Sequence, residues 1–522
     1  MKRSDFLKIA PAATLALIIN GLPIKSVAAS PLLRLLARQT SETGRVMVLI
    51  QLSGGNDGLN TIIPLDQYSA LATARSNILI PENAVLPLSG TINTGLHPAM
   101  GGIQKMYNNG LVNITQGVCY PNPDYSHFRA TDIWLTGSDA TQYLNDGWLG
   151  RFLADDYQGF PQGYPNSNFP DPPAIEIGTS ISTLLVGPDV SMGMAITDID
   201  NFNNIVYNTV TPAPDTNAGH ELTFLRYIAQ QTQQYNGVVQ TAASKAQNLS
   251  TLYPDNNPLA DQLKIVARLI AGGLLTPIYV VGLGSFDTHI GQVDPTDHTT
   301  GNHASLLAKL SDAVAAFFDD CKLLKIDDRV AAMSFSEFGR RIISNGGVGT
   351  DHGSAQPIMV FGNDVNPGFI GSNPMIPQNA TDEDNLAMQN DYRSVYAAIL
   401  SDWFQVAPTV MSDVLLQNFT VLPIFNKNSN STFIGGSNDV LAQNYPNPFS
   451  ESTTIGFSSQ GGTVTLLLLD INGRLVSTIL KQEYFPGIYE IIFYRGALSA
   501  GDYLYYFVNG NYKITKKMTI VD

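Results

Sequence analysis

Cysteine, basic side chains and long apolar runs are all scarce in this sequence. Its 522 residues include two cysteines, Cys119 and Cys321, and although an oxidising compartment would permit a bridge between them, we expect two buried thiols. Lysine and arginine together number 29, against 44 aspartates and glutamates. The net charge of −15 excludes nucleic acid as a partner, because its phosphates would repel the protein. After Ser30 no apolar run is long enough to cross a bilayer, so we expect no transmembrane segment.

The segment from Met1 to Ala29 has the pattern of an export signal. A basic start is followed by the mostly apolar run Ile9 to Ile19 and by small residues suited to cleavage before Ser30. Ser4 stands where a twin-arginine signal carries its second arginine, so both the twin-arginine and the general secretory route remain open. We therefore expect a protein that leaves the cytoplasm.

Buried strands alternate with helices along residues 30–425. Apolar runs of strand length occur at Val46 to Leu52, Leu111 to Gln116, Pro277 to Gly282 and Val330 to Phe335. Apolar residues recur with helical spacing from His303 to Leu324 and from Asp391 to Val406. This alternation predicts an α/β fold with a doubly wound sheet.

Carboxylates and imidazoles follow these strands where each one ends. Ligands bind at the carboxyl ends of strands in such sheets, and both side-chain types bind divalent metals. Glu337, Asp351 and His352 are therefore plausible metal ligands, and Asp57 and the pair Asp287 and His289 follow the ends of two other strands. Two plainer readings stay open: an Asn-Asp-Gly turn at Asp57, and a solvated ion-pair turn of Glu337 with Arg340 and Arg341.

A serine opens the helix that follows the second strand. Ser126 comes directly before His127, with Arg129 close behind, and its hydroxyl points into the field at the start of a helix, which favours anions. Capping the helix is the commoner role for such a serine, and His127 could be structural. A serine hydrolase is less favoured, because no G-x-S-x-G elbow surrounds Ser126.

The C-terminal part differs in composition. Residues 426–440 form a polar linker, and 441–522 show short strands and turns typical of a small all-β sandwich. This unit resembles the sorting domain of the type IX secretion system, on the motifs Asn444 to Phe449, Asp470 to Arg474, Pro486 to Tyr489 and Gly501 to Tyr503. The resemblance implies recognition by that machinery and passage through the periplasm to the cell surface or medium.

From about Arg45 to Phe404 the chain resembles a family known as domain of unknown function 1501, related in fold to alkaline phosphatases and sulfatases. The motifs are Gln51 to Asp57, Ser126 to Ala130, Asp287 to His289, Ser336 to Arg341 and Gly349 to Gly353. The resemblance implies an alkaline-phosphatase-like sheet and a metal-dependent hydrolase of phosphate or sulfate esters, acting on a small or polymeric anionic substrate.

Within that superfamily's pattern, Ser126 takes the place of the nucleophile and Arg129 could clamp the substrate's oxyanion. The predicted catalytic residues are therefore Ser126, His127 and Arg129. The same resemblance implies a metal site made of Asp57, Asp287, His289, Glu337, Asp351 and His352, where two metals would polarise the ester. The Asp-x-His spacing of Asp287 and His289 is narrower than the superfamily's Asp-x-x-x-His, so zinc, calcium and manganese all remain open. The alternative function is a non-catalytic surface protein that binds or supports other molecules.

Overall fold

The computed structural model describes residues 44–166, 169–197, 216 and 235–426, and also 441, 444 and 447–521 without 472, 497 and 511. Before these it describes the backbone of two short strands at 17–19 and 22–26. The chain divides into two compact units, a larger one of residues 43–403 and 414–427 and a smaller one of the remaining segments. The predicted linker lies outside the described residues apart from Asn426. The predicted domain boundaries and export segment therefore remain predictions.

The strands, in chain order, are β1 (Leu17–Ile19), β2 (Leu22–Ser26), β3 (Val46–Leu52), β4 (Ile62–Pro64), β5 (Leu86–Pro87), β6 (Thr94–Leu96), β7 (Val112–Cys119), β8 (Ala174–Ile177), β9 (Gly193–Ile196), β10 (Ile278–Leu283), β11 (Val330–Phe335), β12 (Arg340–Ser344), β13 (Thr350–His352), β14 (Gln356–Phe361), β15 (Gly368–Ile370), β16 (Asn390–Asp391), β17 (Ser452–Asp470), β18 (Leu475–Tyr494), β19 (Gly501–Asn509) and β20 (Tyr512–Ile520).

The α-helices are α1 (Gly58–Thr61), α2 (Tyr68–Ala74), α3 (Gly101–Asn108), α4 (His127–Thr136), α5 (Trp148–Asp156), α6 (residues 235–245), α7 (Pro258–Ala271), α8 (Asn302–Leu323), α9 (Tyr392–Ala398) and α10 (Pro408–Leu415). Short 3-10 turns occur at Leu65–Gln67, Glu82–Ala84 and Thr183–Leu185, and a π turn at Ile399–Trp403 follows α9. In the part of the chain that the structure describes, no helix is long and apolar enough to span a membrane.

Nine strands form the central sheet of the larger unit. Their order is β15-β7-β14-β11-β3-β10-β8-β9, with β16 beside β7. β14 runs antiparallel to both its neighbours, and the other pairings are parallel. The predicted strand at Val46 to Leu52 is β3, buried nearly throughout at the centre of the sheet, as its continuous apolar run indicated.

Helices cover both faces of this sheet. Ala332 of β11 lies opposite Phe361 of β14, so the two side chains share a face, and Phe361 contacts Phe318 of α8 at 6.4 Å between ring centroids. Phe335, three residues after Ala332, points to the other face. On that face the Phe335 ring stacks on the Trp134 ring of α4, with 6.0 Å between the ring centroids. The prediction of a doubly wound α/β fold is therefore confirmed.

The C-terminal part of the smaller unit, from Leu441 onward, folds as antiparallel strands, as predicted. β17 pairs with β18 along nearly its whole length and with β19 near its end, and β19 pairs with β20, each time antiparallel. β2 adds to β18, and β1 pairs with β2. The unit has an apolar core of its own, whose buried residues include Leu441, Phe449, Ile455, Phe457, Val464, Leu466, Leu468, Ile491, Tyr505, Phe507, Met518 and Ile520.

Candidate metal and catalytic site

Three parallel strands bring the predicted polar motifs to one edge of the sheet. β3 lies between β10 and β11, and all three end within a residue or two of one another. The loops that follow them are in contact, since the N–H of Gly54 donates to Glu337 Oε1 at 2.8 Å. Gly54 has a φ of +123°, and a Cβ there would lie 2.3 Å from the backbone nitrogen of Asp287. Only glycine permits this approach.

Three histidines are held at this edge through their Nδ1 atoms. His127 Nδ1 lies 2.8 Å from Glu337 Oε1, and His289 Nδ1 lies 2.9 Å from Asp351 Oδ1. His352 Nδ1 lies 2.7 Å from the backbone carbonyl oxygen of Tyr125. Ionised carboxylates and carbonyls only accept hydrogen bonds, so each Nδ1 carries the proton and each Nε2 is left as a lone pair in the neutral ring.

The Nε2 atoms of these histidines converge on Asp287. His289 Nε2 and His352 Nε2 lie 3.1 and 3.2 Å from Asp287 Oδ1, and 2.9 Å from each other. His127 Nε2 lies 3.5 Å from Asp287 Oδ2, and no hydrogen-bond partner satisfies it in the described structure. We call His127, Asp287, His289 and His352 the histidine cluster.

The histidine cluster has the chemistry of a metal site. Donor atoms around one tetrahedral zinc ion are about 3.3 Å apart, because zinc binds nitrogen and oxygen at about 2.0–2.2 Å. The separations among Asp287 Oδ1, His289 Nε2 and His352 Nε2 are close to that value. Ligand atoms of His127, Asp287 and His352 all lie within 4.8 Å of one another. Metal-binding histidines usually donate their other N–H to a carboxylate or carbonyl, and all three rings do so here. The unsatisfied Nε2 of His127 agrees with a missing cationic partner.

Arg340 sets the charge state of Asp287. Burial acts to raise the pKa of this carboxyl, but the hydrogen bond and charge of Arg340 at 2.7 Å, together with His352 and His289, outweigh it and lower the pKa to about 2. Burial lowers the pKa of His352. Both shifts favour the protonation states that metal ligands need, a carboxylate at Asp287 and a neutral imidazole at His352.

An aromatic ring supports two of the imidazoles. Phe338 is buried, and its centroid lies 4.9 Å from that of His127 and 4.5 Å from that of His352. Gly55 lies under this ring with a φ of +80°, and a Cβ at that position would come 2.3 Å from Phe338 Cε2. The glycine pair after β3 therefore gives Phe338 the room it needs beside the histidines.

Asp57 lies outside the histidine cluster, which corrects the prediction that it binds metal. Its carboxylate is buried and accepts hydrogen bonds from Arg75 Nη1 at 2.8 and 3.0 Å and from Gln292 Nε2 at 2.6 Å. It also accepts from the N–H of Leu59 and so begins α1. Burial would raise the pKa of Asp57, but the charge and hydrogen bond of Arg75, together with His303 and Gln292, outweigh it, and the pKa is lowered. Every lone pair that a cation would need is already engaged.

Glu337 and Asp351 are placed behind the histidines rather than among the converging atoms. Both face the Nδ1 side of a ring, and Glu337 also accepts from Ser336 Oγ at 3.1 Å. The alternative of an ion-pair turn between Glu337 and the two following arginines is wrong, because Arg340 pairs with Asp287 and Arg341 with Glu383.

Ser126 is exposed and its hydroxyl makes no capping bond. It occupies the N-cap position of α4, yet its side chain accepts no hydrogen bond from the helix. Its own backbone N–H donates to Asp124 Oδ1 at 2.7 Å. Tyr125 and His127 on either side both contact the histidine cluster or belong to it. The Ser126 hydroxyl therefore does not cap α4, which was the alternative to a catalytic role.

Arg129 is directed away from the histidine cluster, which corrects its predicted role as an oxyanion clamp. Residues two apart on a helix point in nearly opposite directions, so Arg129 cannot face the same way as His127. Its guanidinium pairs with Asp132 and lies 3.9 Å from the ring centroid of Tyr143. It also donates to the backbone carbonyls of Asp139, Ala140 and Gln142. Arg129 anchors the loop after α4.

Sequence reasoning missed the buried groups that organise this edge. Arg75, Gln292 and the buried role of Arg340 carried no signal, because single polar residues in α2 or in a loop resemble ordinary surface residues. The carbonyl of Tyr125 could not be found either, since backbone groups are the same in every residue. His303, at the start of α8, is also buried, with its Nε2 2.9 Å from Asn56 Oδ1.

The larger unit is thus an α/β protein with a histidine and carboxylate site at the carboxyl edge of its sheet. The family described as "Protein of unknown function (DUF1501)" matches residues 120–406, and the chain belongs to that family. The description "Secretion system C-terminal sorting domain" matches residues 443–521. Both predicted resemblances are confirmed. No curated protein matches the chain.

Several solved structures are similar to this chain at low identity. A protein of the alkaline phosphatase superfamily from Vibrio parahaemolyticus is 10% identical, with 93% of this chain and 88% of that one covered and a TM-score of 0.35. A sulfatase from Pseudoalteromonas sp. is 10% identical, with 90% and 88% covered and a TM-score of 0.31. A lipoteichoic acid synthase from Listeria monocytogenes is 8% identical, with 63% and 68% covered and a TM-score of 0.29.

Proposed function

We propose that this protein is an exported metal-dependent hydrolase of phosphate or sulfate esters. The observation that supports it most is the convergence of three imidazole Nε2 atoms on the carboxylate of Asp287. Lone pairs brought this close repel one another unless a cation lies between them. The choice of ester follows the resemblance of the motifs to the alkaline phosphatase superfamily.

His127, Asp287, His289 and His352 would hold the divalent ion. When bound, such an ion supplies the positive charge that polarises an ester oxygen and acidifies a nearby hydroxyl. Glu337 and Asp351 keep the rings of His127 and His289 in the Nδ1–H tautomer and in orientation. Phe338 restricts the rings of His127 and His352 by packing.

Ser126 is our candidate nucleophile. Its segment is fixed on both sides of the site, by the Tyr125 carbonyl on His352 and by His127 itself. The side chain is exposed, and its hydroxyl does not cap α4. The free N–H groups at the start of α4 would favour the anionic group of a substrate that reaches this serine.

The test compares Ser126→Ala with Ser180→Ala, an exposed serine outside this site. Full-length protein is freed of metal with a chelator, reloaded with zinc, manganese or calcium, and assayed on nitrophenyl phosphate and nitrophenyl sulfate. We expect Ser126→Ala to keep its metal and melting temperature and to lose turnover by orders of magnitude. Undiminished turnover would remove Ser126 from the mechanism, and a loss of about 1 kcal/mol of stability instead would mark a cap.

A non-catalytic surface protein is the second candidate, and the placement of the arginines favours it. The guanidinium of Arg129 is bound to the loop after α4, and that of Arg341 donates to the carbonyls of His352 and Asp382. Neither is available to clamp an anionic ester. Tight metal binding without hydrolysis of either nitrophenyl ester would support this candidate.

The proposed location is the cell surface or the medium, reached through the periplasm. The sorting-domain match over residues 443–521 supports the type IX machinery as the partner for export.

A further inference from the structure

Two carboxylates that could extend the histidine cluster into a two-metal site, those of Asp57 and Glu337, already have other partners. Asp57 forms a buried ion pair with Arg75, which also donates through Nε and Nη2 to the carbonyls of Ile342 and Arg341. Glu337 accepts from the N–H of Gly54, from His127 Nδ1 and from Ser336 Oγ. Breaking such a buried pair would leave an uncompensated charge, at a cost of several kcal/mol.

A buried arginine fills the space where the loops after β3 and β10 meet. Arg340 donates through Nε to the Gly55 carbonyl at 2.7 Å and through Nη1 to the Thr350 carbonyl at 2.8 Å. Its Nη2 contacts three oxygens, those of the Gly54 carbonyl, the Phe286 carbonyl at 3.1 Å and Asp287 Oδ1 at 2.7 Å. The guanidinium is fully buried, and each of its nitrogens is bonded.

The oxygen that Arg340 binds is the one on which two histidines converge. Asp287 Oδ1 faces Arg340 on one side and the Nε2 atoms of His289 and His352 on the other. A fixed positive charge therefore already lies within a hydrogen bond of the shared carboxylate, on the side nearer β3. A second dication placed there would face this guanidinium, and the carboxylates of Asp57 and Glu337 are already held by other partners.

We infer that the site holds a single transition-metal ion of the zinc type, not a pair of ions and not calcium, and that Arg340 provides the second positive charge of the site. The inference rests on the proposed metal centre and specifies it. Three imidazole nitrogens and one carboxylate suit zinc and similar ions, whereas calcium takes six to eight oxygen ligands. The two-metal site that the resemblance to the superfamily implies does not fit these residues.

Metal stoichiometry tests the inference without reference to activity. Full-length protein is stripped with a chelator and equilibrated with excess zinc or, separately, calcium, and bound metal is measured by elemental analysis and native mass spectrometry. We expect one zinc per chain and no calcium retained. His289→Ala and His352→Ala should each remove the zinc, because each loses one of the converging nitrogens.

Asp57→Asn is the control variant, because it changes a carboxylate that is paired with Arg75 and that we do not expect to bind metal. It should be less stable, because Arg75 loses its charged partner, and it should still bind one zinc per folded chain. Two ions per wild-type chain, preferential retention of calcium, or loss of zinc in folded Asp57→Asn would each overturn the inference. Two ions would leave the proposed metal-dependent activity standing, whereas no bound ion at all would overturn both.

Discussion

His289 and His352 present their Nε2 atoms to each other at 2.9 Å, and neither nitrogen can donate a hydrogen bond in the neutral ring whose Nδ1 is already donating. The pair is therefore stable only with a cation or an extra proton between the rings. Because the acceptors on Nδ1 fix both rings in this orientation, they determine how well the site binds metal.

Asp351→Asn should weaken metal binding by roughly 10–100-fold, because His289 loses the carboxylate that holds its ring and increases its basicity. Asp351 is exposed, so the melting temperature of the metal-free protein should barely change. Competition with a zinc indicator measures the affinity, and Glu82→Gln, an exposed carboxylate outside the site, is the control. Equal zinc affinities for Asp351→Asn and wild type would contradict the role given to Asp351.

Gly54→Ala should disrupt the site by displacing the loop that follows β3. The alanine would have to keep a φ of +123° and would place its Cβ 2.3 Å from the backbone nitrogen of Asp287. Gly90→Ala is a matched control, since Gly90 has a φ of +84° and open space around it. We expect Gly90→Ala to cost about 1–2 kcal/mol from backbone strain alone, and Gly54→Ala to cost clearly more and to abolish metal binding. Chemical unfolding and elemental analysis measure these two effects.

Acid should destabilise the protein partly through two buried histidines. Burial is the main cause that lowers the pKa of His303 to about 4 and that of His97 to about 3, although Asp57 opposes it in both; Arg75 and Arg340 add to the lowering at His303. An unfolded histidine has a pKa of about 6.5. As pH falls from about 6.5 to 4, the unfolded chain binds protons that the folded chain refuses, so the free energy of unfolding falls.

The variant His303→Gln isolates this effect, because other carboxylates also titrate in the same range. The wild type should lose up to about 1.4 kcal/mol per pH unit more than the variant between about pH 6 and 4. Urea unfolding at a series of pH values measures the difference. If the free energy of unfolding changed equally with pH in wild type and variant, His303 would bind a proton equally well in the folded and unfolded chain.

Arg129→Met should affect stability and not substrate binding. The carbonyls of Asp139, Ala140 and Gln142 would lose a shared donor, and we expect a loss of about 2–3 kcal/mol. Since the guanidinium does not face the histidine cluster, KM on any substrate should be unchanged. Arg474→Met, an exposed arginine of the smaller unit, controls for the change of charge. A raised KM with unchanged stability would restore Arg129 as a substrate clamp.

A chain shortened to end after Asn426 should fold, bind metal and fail to leave the cell. The removed part has its own apolar core from Leu441 to Ile520, and the larger unit has a separate one. In a host with type IX machinery we expect the shortened protein in the periplasm and the full-length protein at the surface or in the medium. Cell fractionation with immunoblotting measures this, and normal surface amounts of the shortened chain would refute the sorting role.

The sequence by itself determined the layout of the fold. Long apolar runs such as Val46 to Leu52 are compatible only with strands buried on both faces, and their alternation with helical patterns leads to a doubly wound sheet. The same reasoning placed Asp287 and Glu337 at one edge, because parallel strands end together. Family motifs identified both units, since their residues are contiguous in the chain.

Only the tertiary structure decided which of these side chains share a site. Asp57 and Asp287 look equivalent in the sequence, yet one is neutralised by Arg75 and the other is surrounded by three imidazole nitrogens. Arg129 faces away from the cluster because of its position on the helix, whereas Arg340 is buried beside Asp287. Charge pairing depends on distances of a few ångströms between residues far apart in the chain, and no local pattern encodes them.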